Sequence, residues 1–226
     1  GYDFINDVTT ANDGNGRDSD PTDPGDWNPT ARINPNCRVS NSSWHGTHVA
    51  GTVGAASNNA TGVTGVDWNA KLLTARALGR CGGYTSDIID AIAWSAGISD
   101  PNVPNNSNPA KVLNMSLGAL GSCPPLLQTA INSAVARGAV VVAAAGNQNT
   151  NAASLFPANC NNVISVTALT QQGHRESQSN YGTSVDIAAP GEAIYSTHDT
   201  STTSASSSNT YAAYTGTSMA TAHVSG

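Results

Sequence analysis

The run Ala139 to Ala145, Ala-Val-Val-Val-Ala-Ala-Ala, is closed by Gly138 on one side and Gly146 on the other and carries no polar side chain. A short all-apolar segment between glycines suits a strand buried on both faces, and such strands belong to parallel sheets covered by helices. Parallel strands need crossovers, and the flanking sequence supplies them. Leu126 to Arg137 carries Leu127, Ile131 and Val135 along one helical face and stops at Gly138. Upstream, Ala70 to Leu78 reads as a strand, Ser86 to Ala96 as a helix with Ser86 as cap and Gly97 as stop, and Val112 to Leu117 as the next strand. Val163 to Ala168 and Val185 to Ala189 read as later strands, and Ser201 to Ser208 as a polar loop. Right-handed crossovers then give an α/β fold, a mainly parallel central sheet with helices on both faces. Ligands collect at the carboxyl ends of such strands, where Asn114 to Gly118 and Gly146-Asn147 fall.

At 226 residues the chain is long enough for one well-buried core, and the alternating pattern predicts one domain spanning 1–226. Charged residues make up only 11% and form no basic stripe, which argues against nucleic-acid binding. No stretch approaches the ~20 apolar residues of a membrane span. Gly1-Tyr2-Asp3 lacks the basic and apolar regions of a signal peptide, so any targeting signal is expected to have been removed. The four cysteines are even in number and contain no Cys-x-x-Cys pair, which favours disulfides and secretion over zinc.

Residues 1 to 26 hold seven aspartates against the single basic residue Arg17, and that local charge of −6 equals the net charge of the whole chain. Clustered carboxylates repel without a cation. Asn12 to Asp26 offers closely spaced oxygens of the kind Ca²⁺ takes, with Asp13, Asp18, Asp20 and Asp23 as the expected ligands. Arg17 and Asp18 break the EF-hand pattern, and a solvated acidic loop is the plain alternative.

Ser218 stands at a helix start, where most serines are simply N-caps. The same place offers unpaired N–H groups and a positive dipole end, which suit a nucleophile whose reaction creates an oxyanion. Such a serine needs a base. His45 opens a helix whose Val49 and Val53 share its face, and the dipole there disfavours protonation. His45 and His48 are three apart with no Glu or Cys nearby to complete a zinc set. Asn147, at a strand end, can donate its amide to a developing oxyanion.

His45-Gly46-Thr47-His48-Val49-Ala50-Gly51-Thr52, Asn114-Met115-Ser116-Leu117-Gly118, Ala144-Ala145-Gly146-Asn147 and Gly216-Thr217-Ser218-Met219-Ala220 occur in that order. Together they resemble the motifs of subtilisin-like serine proteases, most of all the secreted subtilases of Gram-negative bacteria, whose loops before the histidine are long and Asp-rich. The resemblance implies a three-layer subtilisin-like fold and a secreted serine endopeptidase of broad specificity. In it Ser218 is the nucleophile, His45 the general base, and Asn147 with the Ser218 N–H the oxyanion hole. Ser116, Leu117 and Gly118, and Gly82 and Gly83, would be the two edges that clamp an extended peptide. Ala144, Ala145 and Gly146 would line a roomy pocket for an apolar residue before the cut. His48 stays structural, and Asp186 is a structural aspartate. Further implied partners are a propeptide or protein inhibitors, with the enzyme a monomer. Ala222 stands where the family usually has proline.

With those edges placed, the expected disulfides are Cys37 with Cys81 and Cys123 with Cys160, each bordering the cleft. Phe156-Pro157 resembles a cis peptide of the family. The family's acid follows an apolar strand in an Asp-Ser/Thr-Gly turn, a setting that no aspartate between Gly1 and Trp44 has. The triad Asp is therefore expected outside this chain, as is the rest of the Ser218 helix, and residues 1–226 alone are expected to be inactive. The reading from another class is a non-catalytic, Ca²⁺-stabilised extracellular binding domain on the same fold.

Overall fold

A computed structural model describes residues 1–30, 37–206 and 210–226. In chain order its elements are β1 (Tyr2–Asp3), α1 (Val8–Ala11), α2 (His45–Gly54), β2 (Ala75–Arg76), α3 (Thr85–Ser95), β3 (Val112–Met115), β4 (Ala119–Leu120), α4 (Pro125–Ala136), β5 (Val140–Ala144), β6 (Leu155–Phe156), β7 (Ile164–Leu169), β8 (Ile187–Pro190), β9 (Ile194–His198), β10 (Thr210–Tyr214) and α5 (Thr217–Ser225). The apolar run becomes β5, between β3 and β7 in a four-stranded parallel sheet of order β3-β5-β7-β8. Val112 lies opposite Val140, Val142 opposite Ile164, and Val166 opposite Ile187.

Alternation along the strands divides the core into two layers. Val141 and Ala143 face one way with Leu113 and Met115, against Leu127, Ile131 and Ala134 of α4 and Ile92 of α3. Val142, Val166 and Ala168 face the other way, against Ala220 of α5. Helix α2 covers α5 in turn, through Val49, Met219 and Ala222. The result is the expected three-layer α/β fold of the subtilisin type.

Several boundaries move. Of the strand expected over Ala70 to Leu78, only Ala75–Arg76 pairs, because its parallel partner β1 is itself two residues long. Helix α3 starts at Thr85 after Tyr84, so Ser86 lies inside it rather than at its cap. Helix α4 begins at Pro125, a position where the missing N–H costs nothing. Strand β3 ends at Met115, leaving Ser116 and Leu117 to turn away from the sheet. Of the loop expected over Ser201 to Ser208, Ser207 and Ser208 lie outside the described residues.

Both expected disulfides form, Cys37–Cys81 and Cys123–Cys160, and Phe156-Pro157 is cis. The loops are stapled locally as well. Asp13, Asp18, Asp20, Asp23, Asp67, Asp100 and Asp199 each accept the backbone N–H two residues ahead, turns that aspartate forms readily.

Arg76 ties the acidic N-terminal segment to the body. It is 6% exposed and reaches the fully buried Asp3, Asp13 at 3.0 Å and the Ala11 carbonyl. Removing one partner of a buried ion pair leaves the other charged and unsolvated, a loss of about 3–5 kcal/mol. Arg76→Ala should therefore destabilise the protein by about that amount in urea unfolding at pH 7, whereas Arg38→Ala, at an exposed position, should change little.

Candidate active site

The start of α5 organises the site. Gly216 caps it with φ 154°, a backbone region that favours glycine, and contributes no side chain. Ser218 is the second residue of the helix and therefore not its N-cap. The first helical N–H, from Thr217, donates to Asn147 Oδ1 at 2.9 Å, and Thr217 Oγ1 donates to the same oxygen at 3.0 Å. Gly146 N–H donates in turn to Thr217 Oγ1 at 3.1 Å. With its oxygen engaged twice, the Asn147 amide presents Nδ2, which has no hydrogen-bond partner among the described residues. A Cβ at Gly216 would stand 3.1 Å from that nitrogen, so glycine keeps its surroundings open. The Ser218 N–H belongs to the first turn, has no carbonyl four residues back in the helix, and likewise makes no described hydrogen bond. Two donors without a partner among the described residues thus stand at the start of α5, the Ser218 N–H and the amide held by the neighbouring Thr217.

The end of β3 is sewn to the same helix. Ser116 Oγ donates to the Ser218 carbonyl at 2.8 Å, and Ser218 Oγ rests 3.4 Å from the Ser116 carbonyl. Ser225 Oγ reaches Asn114 Oδ1 at 2.8 Å from the far end of α5. Leu117 packs against the core, while Gly118 approaches Leu155 and Phe156 so closely that a Cβ would lie 2.7 Å from Leu155 Cδ2. Ala144 and Ala145 are 4% and 0% exposed and Gly146 is buried as well, so all three lie in the interior, backbone included. Gly82 and Gly83 lie apart on their own turn, closed by Gly79 N–H to the Gly82 carbonyl at 2.8 Å and anchored by Cys81.

His45 is half-buried as the first residue of α2. Val49, one turn on, packs in one cluster with Met219, the residue after Ser218. Burial holds the His45 imidazole below its ordinary 6.5, nearby His48 adds to this, and Asp26 opposes it. Among the described residues no carboxylate hydrogen-bonds the ring. His48 is fully buried and structural, its Nε2 lying 3.0 Å from the carbonyls of both Ile194 and Ala212. His198 is half-buried, with Nε2 2.8 Å from Tyr214 Oη.

A family model described as the subtilase family matches residues 5–226. The chain belongs to the subtilase family. It is 54% identical over 226 residues to a protein named extracellular protease from Xanthomonas campestris pv. campestris, covering all of this chain and 39% of that protein. It is 47% identical over 230 residues to an extracellular basic protease of Dichelobacter nodosus, covering all of this chain and 38% of that protein. The chain thus spans about two fifths of the length of these relatives. A solved structure titled as proteases from Pseudoalteromonas arctica superposes with a TM-score of 0.97 at 50% identity, over all of this chain and 69% of the other.

The acidic loop of this subtilase is less ordered around one point than its sequence suggests. Asp13, Asp18 and Asp20 line one open depression of about 530 Å³, whereas Asp23 is absent from its lining and accepts the Gly25 N–H. Asp13 is engaged by Arg76, and Arg17 points away to Asp87 and Asp90. Among the described residues no three His, Cys, Asp or Glu side chains converge on one point, so Asp13, Asp18, Asp20 and Asp23 do not gather around a common centre.

Sequence reasoning missed Thr217 as the residue that aims the Asn147 amide, although it adjoins Ser218 in the motif. It also missed the fully buried Asn180, which accepts from Gln148 N and Thr150 N and donates to the Ala145 carbonyl, fixing the loop that carries Asn147. Asp186 binds Ser165 at the start of β7, as befits a structural residue.

Burial lowers both His45 and His48 below 6.5. Below that value the unfolded chain takes up protons that the folded chain refuses, so stability is fully present above about pH 6.5 and falls as the pH drops. Urea unfolding at pH 7.5 and 5.5 should show this loss, with a smaller pH dependence in His48→Gln.

Proposed function

We propose that the protein containing this chain is a secreted serine endopeptidase that cleaves peptide bonds through an acyl-enzyme on Ser218. The observation that carries the reading is the pair of free donors at the start of α5, the Ser218 N–H and the Nδ2 of Asn147, whose amide is held by Thr217 next to Ser218. His45, kept neutral by burial, takes the Ser218 proton as Oγ attacks the scissile carbonyl. Charge then develops on the carbonyl oxygen, where the two donors receive it without reorganising. His45 returns the proton to the leaving amine, and water repeats the sequence to release the acyl group. An extended peptide between Ser116–Gly118 and Gly82–Gly83 and an apolar residue before the cut follow from the resemblance, as do a monomeric enzyme and a propeptide or inhibitor as partner. Secretion is supported by the names of the relatives and by the two disulfides.

Ser218→Ala should abolish both peptide hydrolysis and labelling by a fluorophosphonate, which reacts only with an activated serine. Asn147→Leu should retain folding and lose about 10²–10³ in kcat, the loss known for such a donor in a subtilisin. Residues 1–226 alone should fall far below the full reading frame on a chromogenic peptide, because His45 lacks a carboxylate on its ring. Equal activity from both would place the acid within the chain.

Calcium-binding is a general property of subtilases, and for this chain we propose that Ca²⁺ is taken by the depression around Asp13, Asp18 and Asp20 after adjustment of the loop. The support is that Asp18 and Asp20 have no cationic partner among the described residues. EDTA should then lower the melting temperature at neutral pH, and Asp18→Asn should remove that response.

A further inference from the structure

The turn that delivers His45 to α2 is held from outside that helix. Trp44, its N-cap, has a left-handed φ of 49° and offers no side-chain acceptor. A bulky residue keeps that conformation only where its surroundings over-determine it. Trp44 Nε1 donates to the Ser201 carbonyl at 2.8 Å, and Tyr214 Oη donates to the Ser43 carbonyl at 2.7 Å. The two oxygens of Asp26 accept Ser43 N–H at 2.6 Å and Ser43 Oγ–H at 2.7 Å. Having donated its proton to Asp26, Ser43 Oγ accepts the His45 N–H at 3.3 Å. Asp26 has no ion-pair partner among the described residues, so its charge is not offset by a cation.

We infer that Asp26 is a positioning residue for His45: through Ser43 its carboxylate fixes the first turn of α2 and brings an unpaired negative charge to the imidazole. The inference rests on the proteolytic reading only for its catalytic consequence, since the hydrogen bonds stand without it. A charge so placed favours the imidazolium that forms while His45 carries the proton. The elements packed around α2 carry further titratable groups, among them His198 on β9, Tyr214 on β10 and His223 on α5, with His48 on α2 itself. His48 opposes the imidazolium, His198 is bonded to Tyr214 Oη, and His223 Nδ1 lies 2.9 Å from the Met219 carbonyl. Asp26 is the group among these that favours it.

The test follows the His45 Cε1–H resonance through a pH titration by NMR, in the protein expressed at the full length of its reading frame. Asp26→Asn keeps the side-chain shape and removes the charge. It should lower the His45 pKa by roughly half a unit, less than the 1–3 units of a direct pair, and Asp26→Glu should restore most of it. An unchanged His45 pKa in folded Asp26→Asn would overturn the inference. Should Asp26→Asn fail to fold, Ser43→Ala tests the same relay: amide exchange at His45 and Gly46 should quicken several-fold, and unaltered exchange would count against it. Fluorophosphonate labelling of the same samples separates the two readings. A shifted His45 pKa in a protein that never labels would leave the positioning role standing and remove the proteolytic one, while a labelled protein with no shift would do the reverse.

Discussion

Helix α5 lies close against the sheet because much of the surface that meets there carries only small side chains. Ala220 and Ala222 are fully buried, and Ala168 and Ala189 meet α5 from the sheet. A Cβ on Gly191 would come within 2.5 Å of Ala168 and 2.8 Å of the Gly216 carbonyl, and one on Gly51 would collide with Thr197 on the far side of α2. Larger residues would lift α5 away and carry Ser218, Thr217 and the Gly216 turn with it. The reach of the Asn147 amide depends on that spacing, because its bonds to Thr217 are already near 3 Å. The proposed donors, Asn147 Nδ2 and the Ser218 N–H, are thus set by packing several residues away from them.

Charge is arranged separately from this apolar frame. Two arginines at the acidic segment are spent on fastening it. Arg17 bridges to Asp87 and Asp90 of α3 at 2.7 Å each, and Arg76 joins β1 to β2 beneath the loop. Neither is left to neutralise Asp18 or Asp20. The site itself lies among alanines, glycines and hydroxyls, where few charges compete with the one that forms during acyl transfer.

The apolar run Ala139 to Ala145 and the helix before it were legible because a strand buried on both faces and a one-sided helix each leave a periodic trace. The hydroxyl, imidazole and amide of the site were legible for a different reason, since each stands in a short motif at an element's end. The length of strand β2 was not, because the stretch read as a strand exceeds its two-residue partner and sequence cannot count partners. The Asp26–Ser43 contact joins residues 17 apart through side chains common in any loop, and Asn180 serves a loop 30 to 35 residues away. Carboxylate count suggested a cation site, but count does not fix direction. The fold turns Asp23 aside and commits Asp13 to Arg76.

The aspartate turns bear on the fate of the loops. On the proposed reading, in which substrate is taken as an added strand, a cleavable segment must be a stretch of backbone able to lie straight. Where Asp13, Asp18, Asp20, Asp23, Asp67 and Asp199 each bind the N–H two residues ahead, the chain is folded back on itself at short intervals. Such a loop is exposed yet badly shaped for another copy's cleft. Autolysis at these places would require the turns to open first, and the disulfides at Cys81 and Cys123 limit how far the neighbouring segments can follow.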